Sequence, residues 1–134
     1  MTTEQDEARN AIFTLTQEFA PSVQAQDADR LVQRVYAEEA RLLPPNQFTV
    51  QGHSNIRDFW RGRMEAGLRQ LVLSLTEIHV AGHLAYGIGE YWLHRDPPGG
   101  DAGKHLAVYG RQSDGSWKVV AHMFSTNLPV EMTP

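Results

Sequence analysis

The chain has 134 residues, of which 41% are hydrophobic and 21% charged, and this composition is typical of one globular domain. The net charge of -4 argues against a nucleic-acid partner, and the absence of cysteine excludes disulfides, thiolate nucleophiles and zinc–thiolate sites. No apolar run approaches the roughly 20 residues of a membrane span and the start MTTEQDEARN is polar, so we expect a cytoplasmic protein with no membrane partner.

The first part of the chain has helical periodicity. Apolar residues recur every three or four positions between residues 4 and 26, which predicts an amphipathic helix with Thr3 as its N-cap. Pro21 should kink or break this helix, because proline removes a hydrogen bond and clashes one turn back. A second helix is predicted from Ala28 to about Tyr36, capped by Asp27.

The middle of the chain predicts a short hairpin followed by a third helix. Residues 40–43 are predicted to form the first strand of the hairpin, which ends at Pro44 and Pro45, and residues 48–50 the second strand. The helix runs from Asn55 to about Gly67, with an apolar face that includes Trp60.

The second half of the chain is rich in β-branched and aromatic residues. It predicts four strands, over residues 71–80, 84–94, 105–111 and 117–126, joined by short turns and a loop from Pro97 to Gly103. Short connections favour an antiparallel meander. Helices followed by strands indicate an α+β domain, with three N-terminal helices packed in a strongly curved, mainly antiparallel sheet.

Several segments resemble one family of small domains. They are Gln26-Asp27-Ala28-Asp29, Tyr36-Ala37-Glu38-Glu39-Ala40, Gly52 and Ile56-Arg57-Asp58-Phe59-Trp60, together with the C-terminal run KHLAVYGRQSDGSWKVVAHMFSTNLP. From about Ala8 to Pro129 the chain resembles the nuclear transport factor 2-like superfamily, within it the SnoaL-like and ketosteroid-isomerase-like group of small bacterial proteins. The resemblance implies one cone-shaped domain over residues 1–134, a pocket at its open end, and a homodimer formed through the outer sheet face.

The same resemblance argues against steroid isomerisation. Ketosteroid isomerase uses an aspartate base and an oxyanion hole made of a tyrosine and a protonated aspartate. The base position corresponds to Pro44 here, and the tyrosine position corresponds to Phe19. Proline has no titratable group and phenylalanine has no hydroxyl, so neither residue can perform that chemistry.

The last two strands carry the best candidates for chemistry. Pairing them across the Ser-Asp-Gly-Ser turn places Leu106 opposite His122 and Lys104 opposite Phe124. Since side chains alternate along a strand, Lys104 and His122 would share one face with Tyr91 and Leu93. The resemblance implies that this is the pocket face, because relatives usually hold an aspartate at the position of His122 together with a lysine like Lys104. The outer face would then carry His105, Ala107, Tyr109, Ala121 and Met123, although a shift of one residue would exchange the faces.

Two interpretations of His122 and Lys104 stay open. In the catalytic one, His122 is a general acid/base, because its ordinary pKa of ~6.5 suits proton transfer at neutral pH. Lys104 then holds an anionic group or an enolate, and Tyr36 or Tyr91 donates a hydrogen bond. In the structural one, the histidine is hydrogen-bonded within the protein and the lysine extends to water.

A small organic ligand is the expected partner, held in a largely apolar pocket. Aromatic residues at helical spacing are also typical of a plain core, so the two roles compete for these side chains. The candidate ligand-binding residues are Phe19, Tyr36, Leu43, Trp60, Met64, Tyr91 and Phe124.

Neither a metal nor a cofactor is expected. The six histidines are scattered, with no pair four residues apart on a helix and no HExxH motif. His94 and His105 could be cross-strand neighbours, but two imidazoles alone make a weak metal site.

The sequence therefore predicts a small-molecule-binding domain. The alternative is an enzyme of isomerase, cyclase or dehydratase type that uses His122 on a carbonyl-containing substrate. A homodimer is expected because Trp92, Tyr109, His105 and Met123 would make the outer sheet face unusually apolar.

Overall fold

The computed structural model describes residues 3–97 and 99–129. Its helices are α1 (Glu4–Thr16), α2 (Phe19–Gln24), α3 (Ala28–Val35) and α4 (His53–Glu65). Its strands are β1 (Tyr36–Leu43), β2 (Val50–Gln51), β3 (Leu68–Leu73), β4 (Glu77–Ala81), β5 (Leu84–Arg95), β6 (Gly99–Arg111) and β7 (Trp117–Thr126). Within the two described ranges, no helix has the length and apolar character needed to cross a membrane.

All the strands belong to one sheet, in the order β2-β1-β7-β6-β5-β3, with β4 also paired to β5. The last three strands form the predicted antiparallel meander, whereas β1 lies parallel to β7. The helices pack on the inner face of this curved sheet. The predicted α+β fold is confirmed.

Pro21 divides the first predicted helix into α1 and α2. The break falls at Gln17 and Glu18, ahead of the proline, because the proline ring would clash with the carbonyl of Gln17 in a continuous helix. Both predicted N-caps are confirmed. The side chain of Thr3 accepts a hydrogen bond from the Asp6 amide, and that of Asp27 accepts one from the Arg30 amide.

The single strand predicted over residues 71–80 is wrong, because the sheet bends in its middle. β3 and β4 both pair with β5, and the amides of Ser74 and Thr76 still donate to the carbonyls of Glu90 and Ile88 across the bend. Gly89 makes the bend possible, since a Cβ there would lie 1.8 Å from the Ser74 carbonyl oxygen. The loop predicted to extend to Gly103 is also wrong, since β6 begins at Gly99.

A β-bulge at Val120 decides which side chains of β7 face inward. Tyr109 pairs with Val119, but Val108 pairs with Ala121, so Val120 is an extra residue between the two pairs. Beyond the bulge, Leu106 pairs with Met123. The predicted pairing of Leu106 with His122 is therefore wrong by one residue.

Because of this shift, the two faces of the sheet carry different side chains from those predicted. His122 and Phe124 lie on the inner face with His105, Ala107 and Tyr109, all of them buried. Lys104, Leu106 and Met123 lie on the outer face and are exposed. The prediction that Lys104 and His122 share a face is wrong, and so is the outer-face position predicted for His105 and Tyr109.

Candidate functional site

A cavity of about 690 Å³ opens between α4 and the inner face of the sheet, beside the loop from Pro44 to Gln47. Its wall is largely apolar and aromatic. The aromatic and large aliphatic side chains of this wall include Phe59, Trp60, Leu71, Tyr91, Leu93 and Phe124.

Helical and strand periodicity bring these side chains together. On α4, Phe59 and Arg63 are one turn apart and therefore lie on the same face. On β5, alternation directs Tyr91, Leu93 and Arg95 to the same side of the sheet. All five residues line the cavity.

One wall of the cavity carries a hydrogen-bonded polar cluster. The Tyr91 hydroxyl donates to Asp101 Oδ2 at 3.1 Å, and the Thr126 hydroxyl donates to Asp101 Oδ1 at 2.6 Å. Burial and the adjacent Asp101 carboxylate raise the pKa of Tyr91 to about 12. Tyr91 is therefore protonated at neutral pH, and its proton is already directed at Asp101.

His122 lies outside the cavity, in a second hydrogen-bonded chain within the core. His105 Nε2 must donate to the Ser74 carbonyl oxygen, 2.7 Å away, because a carbonyl can only accept. In a neutral imidazole His105 Nδ1 then accepts, and His122 Nε2 donates to it at 3.1 Å. The remaining nitrogen, His122 Nδ1, accepts from the Tyr36 hydroxyl at 3.4 Å.

Burial keeps both histidines of this chain neutral. It lowers the pKa of His105, and it lowers the pKa of His122 well below the ordinary value, with His105 as a further cause. Burial also raises the pKa of Tyr36. The three side chains are therefore uncharged at neutral pH and satisfy one another.

An aromatic layer separates His122 from the cavity. The Phe124 ring centroid is 4.2 Å from that of His122 and 5.9 Å from that of Trp60. Phe19 packs edge-on against both Trp60 and His122. Phe124 and Trp60 thus present one side to the cavity and the other side to the core around His122.

The structure brings some of the predicted site residues to the cavity and places the others elsewhere. Trp60, Tyr91 and Phe124 line the cavity. Phe19, Tyr36, Met64 and His122 are buried in the core, and Leu43 is half-buried in β1; none of these five is part of the cavity wall.

Lys104 lies away from the cavity wall as well. Its Nζ donates to Asn127 Oδ1 at 3.0 Å and to the Thr126 carbonyl at 3.4 Å, on the exposed side of the sheet. The structure therefore does not bring Lys104 and His122 together.

Sequence reasoning missed the charged residues of the described cavity wall, Arg63, Arg95 and Asp101. Arg95 could have been found, since it continues the alternation of Tyr91 and Leu93 that was already assigned to the pocket face. Asp101 was missed because it was assigned to a loop. Arg63 was missed because an arginine on an amphipathic helix is typical of the solvated face.

The described residues include no group of three or more His, Asp or Glu side chains close enough to hold a metal ion. His94 and His105 are not cross-strand neighbours, because His94 pairs with Gly100 and His105 with Gly89.

Solved structures share this fold. A nuclear transport factor 2-like superfamily protein from Salmonella enterica serovar Typhimurium superposes with a TM-score of 0.79 at 17% identity, over 95% of this chain and 96% of that one. An NTF2-like protein with a cystatin-like fold from Novosphingobium aromaticivorans gives 0.76 at 18% identity, over 95% and 92%. A ketosteroid isomerase-like protein from Erwinia carotovora atroseptica gives 0.77 at 12% identity, over 95% and 100%.

At these identities the likeness concerns the fold alone. A search of curated proteins returned no match. The sequence profile of the SnoaL-like domain, in contrast, matches residues 4–122 of this chain. The chain therefore belongs to the SnoaL-like domain family, within the nuclear transport factor 2-like superfamily.

Proposed function

We propose that the protein binds a small organic molecule in the cavity between α4 and the sheet. The observation that carries the proposal is the cavity itself, with a volume of about 690 Å³ and an aromatic wall. Ligand pockets typically have volumes of roughly 300–1,000 Å³ and mostly apolar walls with a few polar groups. Trp60, Tyr91 and Phe124 supply the flat apolar surfaces, and Asp101 marks the polar side.

Binding is favoured over acid/base catalysis by His122. A general acid or base must come within ~3 Å of the reacting atom or reach it through one water. His122 is 1% exposed, both its ring nitrogens have partners, and the Phe124 ring lies between it and the cavity. Tyr91, Asp101 and Thr126 of the wall are likewise hydrogen-bonded to one another, which supports a binding role.

The positions at which ketosteroid isomerases hold catalytic groups support the same proposal. Pro44 is buried and lines the cavity, where it contributes shape but no proton transfer. Phe19 is buried in the core and donates no hydrogen bond. The proposed function is therefore recognition of an organic molecule rather than isomerisation of a steroid.

A thermal-shift screen against small aromatic and alicyclic compounds tests the proposal. Ligand at ~100 times Kd stabilises the native state by roughly 2.7 kcal/mol, which is an easily measured shift. Ala66→Trp places an indole in the cavity wall from an exposed position at the end of α4, and it should abolish the shifts.

Gly62→Trp is the matched control, since it adds the same side chain to α4 at an exposed position with open space around it. Compounds that stabilise the wild type should also stabilise this variant. Ligands that stabilise the Ala66→Trp protein as much as the wild type would bind elsewhere and would refute the proposal.

We also propose that the outer sheet face pairs with a second copy of the chain. Its exposed large side chains include Trp92, which is 47% exposed, and Met123, which is 48% exposed. The others are Val72, Leu84, Tyr86 and Leu106. Apolar residues gathered on one face at this density are typical of an interface between protein molecules.

Analytical ultracentrifugation at micromolar concentration tests the dimer. The wild type should sediment as a dimer, and the double variant Leu106→Glu with Met123→Glu should sediment as a monomer, because burying carboxylates is costly. Phe13→Glu is the control, since Phe13 is also 50% exposed but lies on α1. A monomeric wild type would contradict this proposal.

A further inference from the structure

Two arginines line the cavity on elements that are joined to one another. Arg63 lies in the last turn of α4, and Arg95 is the last residue of β5. The Asp96 amide donates to the Gly67 carbonyl at 2.8 Å, which ties the end of β5 to the turn after α4. Any side chain at residue 67 would collide with the Asp96 carbonyl, so glycine is required at this contact.

Neither arginine has a carboxylate partner within the described residues. Other arginines of the protein do: Arg30 and Arg34 contact Glu18, and Arg57 and Arg61 contact Asp29. Arg63 instead holds its guanidinium carbon 5.0 Å from the centroid of the Phe59 ring. Arg63 and Arg95 therefore keep their hydrogen-bond donors available at the cavity.

The cavity is more positive than the protein as a whole. The chain carries a net charge of -4, whereas the charged residues of the cavity wall, counted within residues 3–97 and 99–129, are two arginines and one aspartate. The aspartate, Asp101, already accepts hydrogen bonds from Tyr91 and Thr126. A negative group on a ligand would thus find two unpaired guanidinium groups, while Asp101 disfavours a second negative charge.

Resting on the binding function proposed above, we infer that the ligand is a monocarboxylic acid with an aromatic or alicyclic body. Guanidinium groups bind planar carboxylates through paired N–H···O hydrogen bonds, and such charge-assisted bonds are stronger than neutral ones. The carboxylate lies at Arg63 and Arg95, and the apolar body packs between Trp60 and Phe124. Arg63 and Arg95 are the specificity-determining residues.

Matched acids and amides test the inference. The probes are benzoate, naphthoate and biphenyl carboxylate, each with its primary amide of the same shape, titrated by calorimetry against the wild-type protein. We expect at least one acid to bind about tenfold more tightly than its amide. In the double variant Arg63→Gln with Arg95→Gln the acid should lose this advantage over the amide, because the acid loses the charge-assisted hydrogen bonds.

The amide serves as the control for folding, because a folded double variant should still bind it in the apolar part of the cavity. Arg111→Gln, at an exposed position outside the cavity wall, should preserve the discrimination. Equal affinity for acid and amide in the wild type would overturn the inference, as would discrimination that persists without the two arginines.

The outcomes separate this inference from the function on which it rests. Suppose that the amides bind in the wild type and lose binding in Ala66→Trp, while each acid binds no more tightly than its amide. In that case the cavity is a binding site and only the carboxylate inference is wrong. If no probe of either series binds, or if binding ignores Ala66→Trp, both proposals fail.

Discussion

His122 Nε2 lies 3.1 Å from His105 Nδ1, and the carbonyl of Ser74 sets the direction of the hydrogen bond between them. That carbonyl belongs to the residue at which the sheet bends across Gly89. The bend and the histidine pair are therefore one structural feature. A backbone acceptor at the bend holds His105, which holds His122, which in turn accepts from Tyr36.

This arrangement predicts that stability falls as the pH drops below about 6.5. Burial lowers the pKa of both histidines in the folded state, so below the ordinary value the unfolded chain binds more protons. The free energy of unfolding should then decrease by up to about 1.4 kcal/mol per pH unit for each histidine. Urea denaturation at a series of pH values between about 7.5 and 5, the range in which an ordinary histidine titrates, measures this decrease.

His122→Gln separates this effect from other titrations. Glutamine can still donate to His105 but does not titrate, so the variant should lose part of the pH dependence below about 6.5. His79→Gln is the matched control, because His79 is exposed and pairs with Glu77 on the surface. An unchanged pH profile in the His122 variant would show that this histidine is not held neutral by burial.

Phe124→Ala should expose His122 to the cavity. Phe124 contacts His122 on one side and lines the cavity on the other, so its loss lets water reach the imidazole. The pKa of His122 should rise towards ~6.5, measured by NMR of the ring nitrogens, and stability should fall by about 3–5 kcal/mol.

Phe59→Ala is the control for that experiment, since Phe59 lines the cavity but packs against Trp60 and Arg63. The Phe59→Ala variant should leave the pKa of His122 unchanged. Phe124→Leu offers a smaller opening if the alanine variant does not fold. An unmoved His122 resonance in both Phe124 variants would mean that Phe124 is not the barrier.

Gly89→Ala should be strongly destabilising. The added Cβ would lie 1.8 Å from the Ser74 carbonyl oxygen, so either the bend opens or the carbonyl leaves His105. We expect a loss above about 3 kcal/mol in chemical denaturation, which is large for one methyl group. Gly62→Ala, with open space on α4, should instead stabilise by roughly 0.5–1 kcal/mol. Similar behaviour of the two variants would contradict the proposed role of the bend.

Lys104→Gln should leave both stability and ligand binding nearly unchanged. Lys104 is exposed on the outer sheet face and lies outside the cavity wall. Stability should stay within about 0.5 kcal/mol of the wild type, as for most surface substitutions. A tenfold loss of affinity for a cavity ligand, about 1.4 kcal/mol, would show that Lys104 reaches the site after all.

Local signals in the sequence were sufficient for the helices. Thr3 and Asp27 are N-caps in the structure because a side-chain oxygen before a helix satisfies an amide of its first turn. Pro21 divides α1 from α2 because its ring and missing N–H act within one turn. The strand periodicity of β5 placed Tyr91 correctly, since alternation is also a local property.

The candidate site was only partly predictable for a different reason. Trp60, Tyr91 and Phe124 were expected at the pocket and line the cavity, whereas Phe19, Tyr36, Met64 and His122 are in the core. An aromatic side chain at helical spacing is compatible with either place. Tertiary packing, which sets Phe124 and Phe19 against Trp60 and His122, separates the cavity from the histidine chain.

The sequence by itself determined the α+β class, the N-caps Thr3 and Asp27 and the alternation within each strand, because these depend on neighbouring residues. The tertiary structure alone decided which face of the sheet His122 joins. One extra residue, Val120, between the pairs Tyr109–Val119 and Val108–Ala121 shifts every later side chain of β7 to the opposite face. That shift places His122 beside His105 and leaves Lys104 outside, since strand register depends on contacts between segments that are distant in the chain.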